Sequence, residues 1–128
     1  MKILLIISSS VGCYKALDLI RELQKQSIDF EIIATKNTYE FISPLLLETI
    51  SRKKVYSQLF DLDMEKNIGH IRLARDNTHI VVYPATANII SKFAQGLCDD
   101  LALTCMIAAN KPINIAPAMN KEMWANSL

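Results

Sequence analysis

Glycine and proline are scarce in this chain, at three and four of 128 residues. That excludes collagen-like and linker-like polymers. An excess of charge of one sign is also missing. Fourteen Lys+Arg against thirteen Asp+Glu leave a formal charge of +1. With no polybasic footprint, neither nucleic acid nor a membrane surface is expected as a partner. No apolar run approaches the ~20 residues that a spanning helix needs. Cysteine occurs only as Cys13, Cys98 and Cys105. The number is odd, and there is no CxxC pair or Cys/His zinc spacing, which points to a reducing, cytoplasmic setting without a metal site. Cys98 and Cys105 stand two helical turns apart and are expected on one buried helix face as structural thiols. What the chain does have is apolar mass. Hydrophobic residues make up 51% and charged residues 21%, enough for one core and a single domain over residues 1–128.

Four short apolar runs read as strands: Ile3–Ile7, Phe30–Ala34, Ile80–Tyr83 and Ile113–Ala116. They are continuous rather than alternating, which suits a parallel sheet covered on both faces. Met1-Lys2 before the first run and Cys13 after it superficially resemble a lipoprotein signal. The apolar core is too short for the usual ~7–15 residues, so a buried first strand is expected instead. Helical patterns fill the gaps. Ala16, Leu19, Ile20 and Leu23 recur at helical spacing, Pro44 opens a helix to Ile50, and Asn88 to Ala94 forms another, closed by Gly96. Asp99-Asp100 open a further helix to about Ala109. The polar stretch from Arg52 to Gly69 is expected to be short helix and loop. Strands alternating with helices define an α/β fold, a doubly wound, Rossmann-like or flavodoxin-like parallel sheet flanked by helices.

In such a sheet ligands bind beyond the carboxyl ends of the strands, where the strand order reverses. The loops there carry the candidate chemistry. Ser8-Ser9-Ser10-Val11-Gly12 precedes a helix and offers hydroxyls and amides to a phosphate, or simply a serine N-cap. It is neither GxGxxG nor a Walker loop, which argues against the usual dinucleotide and triphosphate modes. Thr35, Asn37 and Thr38 add neutral donors at the same edge. In Pro84-Ala85-Thr86-Ala87-Asn88, Asn88 serves either as a helix cap or as an amide facing a flat heteroaromatic ring. Pro117 to Trp124 sets Asn120 among Met119, Met123 and Trp124, an arrangement that fits a core cluster or a pocket orienting a polar substrate. His70 is the natural proton carrier if it is not simply structural, whereas His79 starts a strand and reads as structural.

Taken in order, SSSVGCYK, the FISP of Phe41 to Pro44, GHIRL, PATANIISKFAQGLCDDLALT and PAMNKEMW resemble the flavin-dependent cysteine decarboxylases over essentially the whole chain. PAMNKEMW is the most specific segment. It resembles the substrate-recognition motif of the branch acting on phosphopantothenoylcysteine in coenzyme A synthesis, and argues against the flavin prenyltransferases.

The resemblance implies bound FMN. By position, Ser9, Ser10 and Val11 fall in the first flavin-phosphate loop and Thr35 and Asn37 in the second. Thr86, Ala87, Asn88, Ile89 and Ala118 line the flavin. His70 matches the catalytic base, Asn120 the residue that holds the substrate carboxylate, and Met119 and Met123 its neighbours at the substrate. The implied reaction is FMN-dependent decarboxylation of 4'-phosphopantothenoyl-cysteine to 4'-phosphopantetheine by a cytoplasmic homo-oligomer. The family's trimers, or dodecamers built from trimers, place His70 of one subunit against the flavin of its neighbour. Ser9 replaces the family's usual glycine, Gly12-Cys13 its alanine pair, Ile89 a threonine, and Asn77-Thr78 an Ala-Asp pair. The family's substrate-covering flap carries a reactive cysteine downstream of Trp124; the chain ends at Leu128, and none of its three cysteines matches that position. This chain alone is therefore expected to oxidise and decarboxylate but to finish turnover poorly. The competing expectations are a non-catalytic FMN-binding regulatory or electron-transfer module, and a peptidyl-cysteine decarboxylase.

Overall fold

The computed structural model describes residues 1–58 and 69–127. Five strands form one parallel sheet: β1 (Lys2–Ile7), β2 (Asp29–Ala34), β3 (Val55–Tyr56), β4 (His79–Ala85) and β5 (Ile113–Pro117). Their order is β3-β2-β1-β4-β5. Strand order therefore reverses between β1 and β4, the doubly wound α/β arrangement read from the sequence. The helices are α1 (Tyr14–Lys25), α2 (Pro44–Ser51), α3 (Gly69–Asp76), α4 (Ala87–Ala94), α5 (Leu101–Ala108) and α6 (Lys121–Ala125). Among the described residues no helix is long and apolar enough to cross a membrane.

The pleat of β1 sorts the core into two layers. Ile3, Leu5 and Ile7 face α1 and α2 through Ala16, Ile20, Leu23 and Leu47. Leu4 and Ile6 face the opposite layer of Leu73, Ile89, Leu101, Leu103 and Cys105, contributed by α3, α4 and α5. Leu4 to Ile7 are completely inaccessible to solvent, as a central parallel strand requires. Each such side chain contributes about 1.5–3 kcal/mol relative to exposure.

Local chemistry sets the helix ends. Ser43, Thr86, Asp100 and Asn120 cap α2, α4, α5 and α6 by accepting a backbone N–H with their side-chain oxygens. Gly96 adopts φ +74 just past α4, a left-handed conformation that favours glycine.

Three expectations are corrected. Val55–Tyr56 forms a short edge strand within a stretch read as helix and loop; residues 59–68 of that stretch lie outside the described residues. Asn88 is not the cap of α4, because Thr86 accepts from Ile89 N–H and starts the helix one residue earlier. Cys98 and Cys105 do not share a helix face. Asp100 caps α5, so Cys98 lies outside it and is exposed, while Cys105 is buried. Burial pushes the Cys13 thiol up, and pushes the Cys105 thiol up to about 12 with help from the Asp100 charge. Both remain protonated and unreactive, as structural thiols do.

Candidate active site

The site grows from the reversal point. The end of β1 runs into a buried serine, Ser8, whose hydroxyl does two jobs. It donates to Pro84 O at 2.5 Å and accepts from Thr86 N–H at 3.0 Å. One hydroxyl thus ties the loop after β1 to the loop after β4. Ser10 Oγ then accepts from Gly12 N–H at 3.1 Å and caps a short 3-10 turn, Val11–Cys13. At the end of β2, Thr35 N–H donates to Ile7 O at 3.0 Å and the buried Thr38 hydroxyl donates to the same carbonyl at 2.9 Å. The Thr35 and Thr38 hydroxyls are 3.0 Å apart. Three loops from the ends of three adjacent strands are therefore fastened to one another before any ligand arrives.

Between them lies a cleft of about 160 Å³, lined by Ser8, Ser9, Thr35, Lys36, Asn37, Thr86, Asn88, Ile89, Lys92, Asp100 and Leu103. Six of the sequence-predicted residues meet here: Ser9, Thr35, Asn37, Thr86, Asn88 and Ile89. Lys92 was not anticipated. Its ammonium is 2.9 Å from Asp99, and it lies one helical turn after Asn88 on the same face of α4. That i, i+4 spacing was the signal available in the sequence. Hydroxyls, an amide and two lysines suit a phosphate, while Ile89, Leu103 and the Asn88 amide suit the edge of a flat heterocycle. This donor set fits FMN.

A second cleft of about 410 Å³ lies on the other side of α4, lined by Ala87, Ile90, Ser91, Met119, Met123, Trp124 and Asn126. Asn120 caps α6, its Oδ1 accepting from Met123 N–H at 2.8 Å, so its amide N–H groups are the atoms left to meet a carboxylate. Ala118 N–H donates to Ala85 O at 2.8 Å and fixes this loop against β4. Ser10 is half-buried beside the first cleft without lining it, and Val11 is exposed.

His70 and Asn120 line neither cleft. α3 leads into β4, so its first residues lie toward the carboxyl ends of the strands. α5 stands between them and the first cleft: Asp100 and Leu103 face the cleft, while the Cys105 thiol donates to His70 O at 3.5 Å. His70 Nδ1 is buried and has no hydrogen-bond partner among the described residues. Within one chain, His70 and the first cleft are neighbours but are not in contact across the cleft wall.

Comparisons with known proteins give the family of the chain. The flavoprotein family model matches residues 1–128, and the chain belongs to that family. More particularly, it is 38% identical over 125 residues to the coenzyme A biosynthesis bifunctional protein CoaBC of Vibrio vulnificus, covering 98% of this chain and 31% of that protein. The chain thus spans about a third of the length of the curated relatives it matches. Among solved structures, a PPC decarboxylase variant complexed with pantothenoylaminoethenethiol is 31% identical with a TM-score of 0.85, covering 98% of this chain and 70% of that one. The peptidyl-cysteine decarboxylase EpiD is 30% identical with a TM-score of 0.81, covering 98% of this chain and 74% of that one.

Proposed function

We propose that this domain binds FMN and decarboxylates the cysteine-derived carboxyl of 4'-phosphopantothenoyl-cysteine, as a cytoplasmic enzyme of coenzyme A biosynthesis. One observation carries the reading. The Thr86–Ser91 segment is the wall shared by a polar cleft that fits a phosphate-bearing cofactor and an apolar cleft built from the PAMNKEMW residues. Bound FMN supplies a two-electron acceptor next to the substrate, the kind of chemistry that side chains lack. Ser9, Thr35, Asn37 and Lys92 hold the phosphate, and Thr86, Asn88 and Ile89 hold the ring edge. Ser10 and Val11 shape the first loop, and Ala87 and Ala118 bring backbone close to the ring. Asn120 donates its amide hydrogens to the substrate carboxylate, with Met119 and Met123 excluding water around it. His70 holds and moves the proton at its imidazole.

Because His70 and Asn120 stand off the chain's own first cleft, the reading includes a homo-oligomer, a trimer or a dodecamer built from trimers. In it, His70 of one subunit completes the site of the next. Cyclic closure makes all such sites equivalent.

The test is anaerobic mixing of the FMN-loaded chain with 4'-phosphopantothenoyl-cysteine. Bleaching of the flavin band with CO2 release is expected. A folded chain that never takes up FMN overturns the reading. Bleaching by a cysteine-ended peptide but not by the phosphorylated substrate reassigns the chain to peptidyl-cysteine chemistry. Light scattering of the loaded protein tests assembly, and a monomer that holds FMN tightly overturns the shared site.

A further inference from the structure

Glu31 breaks the logic of its strand. It sits in the middle of β2, paired in register with Leu4 at the centre of the sheet, and its side chain is 15% exposed. A carboxylate is rare on the covered face of a parallel sheet unless it is held by partners. Here both oxygens face α3 and its end, with the Lys2 ammonium of β1 a more distant partner 3.8 Å from Oε2. Arg72 Nη1 lies 3.0 Å from Oε1, and Asn77 Nδ2 donates to Oε2 at 3.1 Å. Asn77 is itself buried and also donates to Leu73 O at 2.8 Å. The other arm of the Arg72 fork reaches the Tyr56 hydroxyl of β3 at 3.4 Å. The helix that begins Gly69-His70 is thus fastened to β2 and β3 by charged and amide contacts, not by Leu73 and Ala74 packing alone.

His70 needs such an anchor. Its Nδ1 is buried without a hydrogen-bond partner among the described residues, while its backbone carbonyl accepts from the Cys105 thiol at 3.5 Å. Histidines that work usually have one nitrogen oriented by a second group. Here no described side chain fixes the ring, so its position follows from the rotation and height of α3. We infer that Glu31, through Arg72 and Asn77, is a positioning residue that fixes α3 against the sheet and thereby sets the place of the His70 imidazole. This rests on the proposed role of His70 for its consequence in catalysis, but not for the positioning itself.

The chain has only two histidines, so ¹⁵N-histidine labelling gives two resolvable rings. His79, whose Nδ1 lies 2.9 Å from the Thr78 hydroxyl, is the internal reference. Glu31→Gln and Arg72→Lys keep volume but weaken the fork. Both should move the His70 ring nitrogens further than those of His79, and the double variant should move them no further than the larger single variant. Asp76→Ala removes the outer partner of Arg72, 3.6 Å away and about half exposed, and should leave His70 unmoved. Flavin reduction by substrate should fall roughly tenfold to a hundredfold in the first two variants, through kcat more than KM. Unmoved His70 signals in both single variants overturn the inference, as does additivity in the double. If Glu31→Gln fails to fold, hydrogen exchange on the unaltered chain decides. Protection of the Leu73 and Ala74 amides equal to that of β2 supports the anchor, and opening of α3 well before β2 overturns it. Ring shifts without any flavin reduction in the unaltered chain would sink the proposed function while leaving the anchor standing.

Discussion

The two sides of the sheet are finished to different degrees. On the side of β1, β2 and β3 the chain covers itself: α1 and α2 close one face, and nearly every residue of β1 and most of β2 are buried. On the side of β5 it does not. No residue of β5 is fully buried, and every described residue from Asn120 to Ser127 is exposed, Met123 and Trp124 among them. The first cleft joins the loops after β1 and β2 to the segments after β4, whereas the PAMNKEMW residues lie on the open side. The first cleft is therefore built by folding alone, whereas the PAMNKEMW segment is presented on a surface whose large apolar side chains contribute little to the stability of the single chain.

That contrast can be tested by substitution. The largest effect is kinetic. His70→Asn should leave fold and FMN uptake intact but slow substrate-driven flavin bleaching by ~10²–10⁴-fold, as loss of a general acid–base group does; stopped-flow absorbance reads it. Next comes the finished core. Leu5→Ala, at a fully buried position, should cost about 2–5 kcal/mol in urea unfolding. Ser8→Ala should cost about 1–3 kcal/mol, because Thr86 N–H and Pro84 O both lose their buried partner. FMN affinity should fall with it, since both loops lose their common tie, and fluorescence titration measures that loss. Lys92→Met should weaken FMN by about 1.5–3 kcal/mol, the worth of a hydrogen bond to a charged group, with stability almost unchanged because the Asp99 pair is exposed. Smallest in stability is Trp124→Ala, which should shift the unfolding midpoint by no more than the equivalent of ~0.5 kcal/mol yet disturb assembly in light scattering. A large loss of monomer stability there would erase the distinction between the two sides.

The sequence made the four longer strands legible on both sides and the short elements and long-range contacts less so, for physical reasons. β1, β2, β4 and β5 announce themselves as apolar runs within a residue or two of their observed bounds. β3 is two residues long, too short for any period to show. The caps decided what periodicity could not. Asp99-Asp100 marks a helix start, but only the Asp100 contact to Leu103 N–H shows that Cys98 lies outside it. Of the candidate site residues, most of those in the loops after β1, β2 and β4 are collected into clefts by the topology itself. His70 is placed by contacts across 35 residues to Cys105 and, for its helix, across 41 residues from Arg72 to Glu31. Nothing local to the GHIRL segment encodes those partners. Glu31 itself hides inside an apolar run, where its burial is invisible until the sheet is assembled.

The Ser8 tie has a consequence for how the molecule comes into being on the ribosome. Its acceptor, Pro84 O, is 76 residues away, and β1 likewise waits for β4 to close its second edge. At ~5–20 residues per second, that separation amounts to roughly four to fifteen seconds of synthesis. Until β2 is made the most apolar strand of the protein has no neighbour at all, and from then until β4 follows it has one neighbour in place and one bare row of amides. Translation speed between Ile7 and His79 thus becomes a determinant of yield, and a nascent-chain chaperone that shields β1 during those seconds would raise the folded fraction without touching the finished protein.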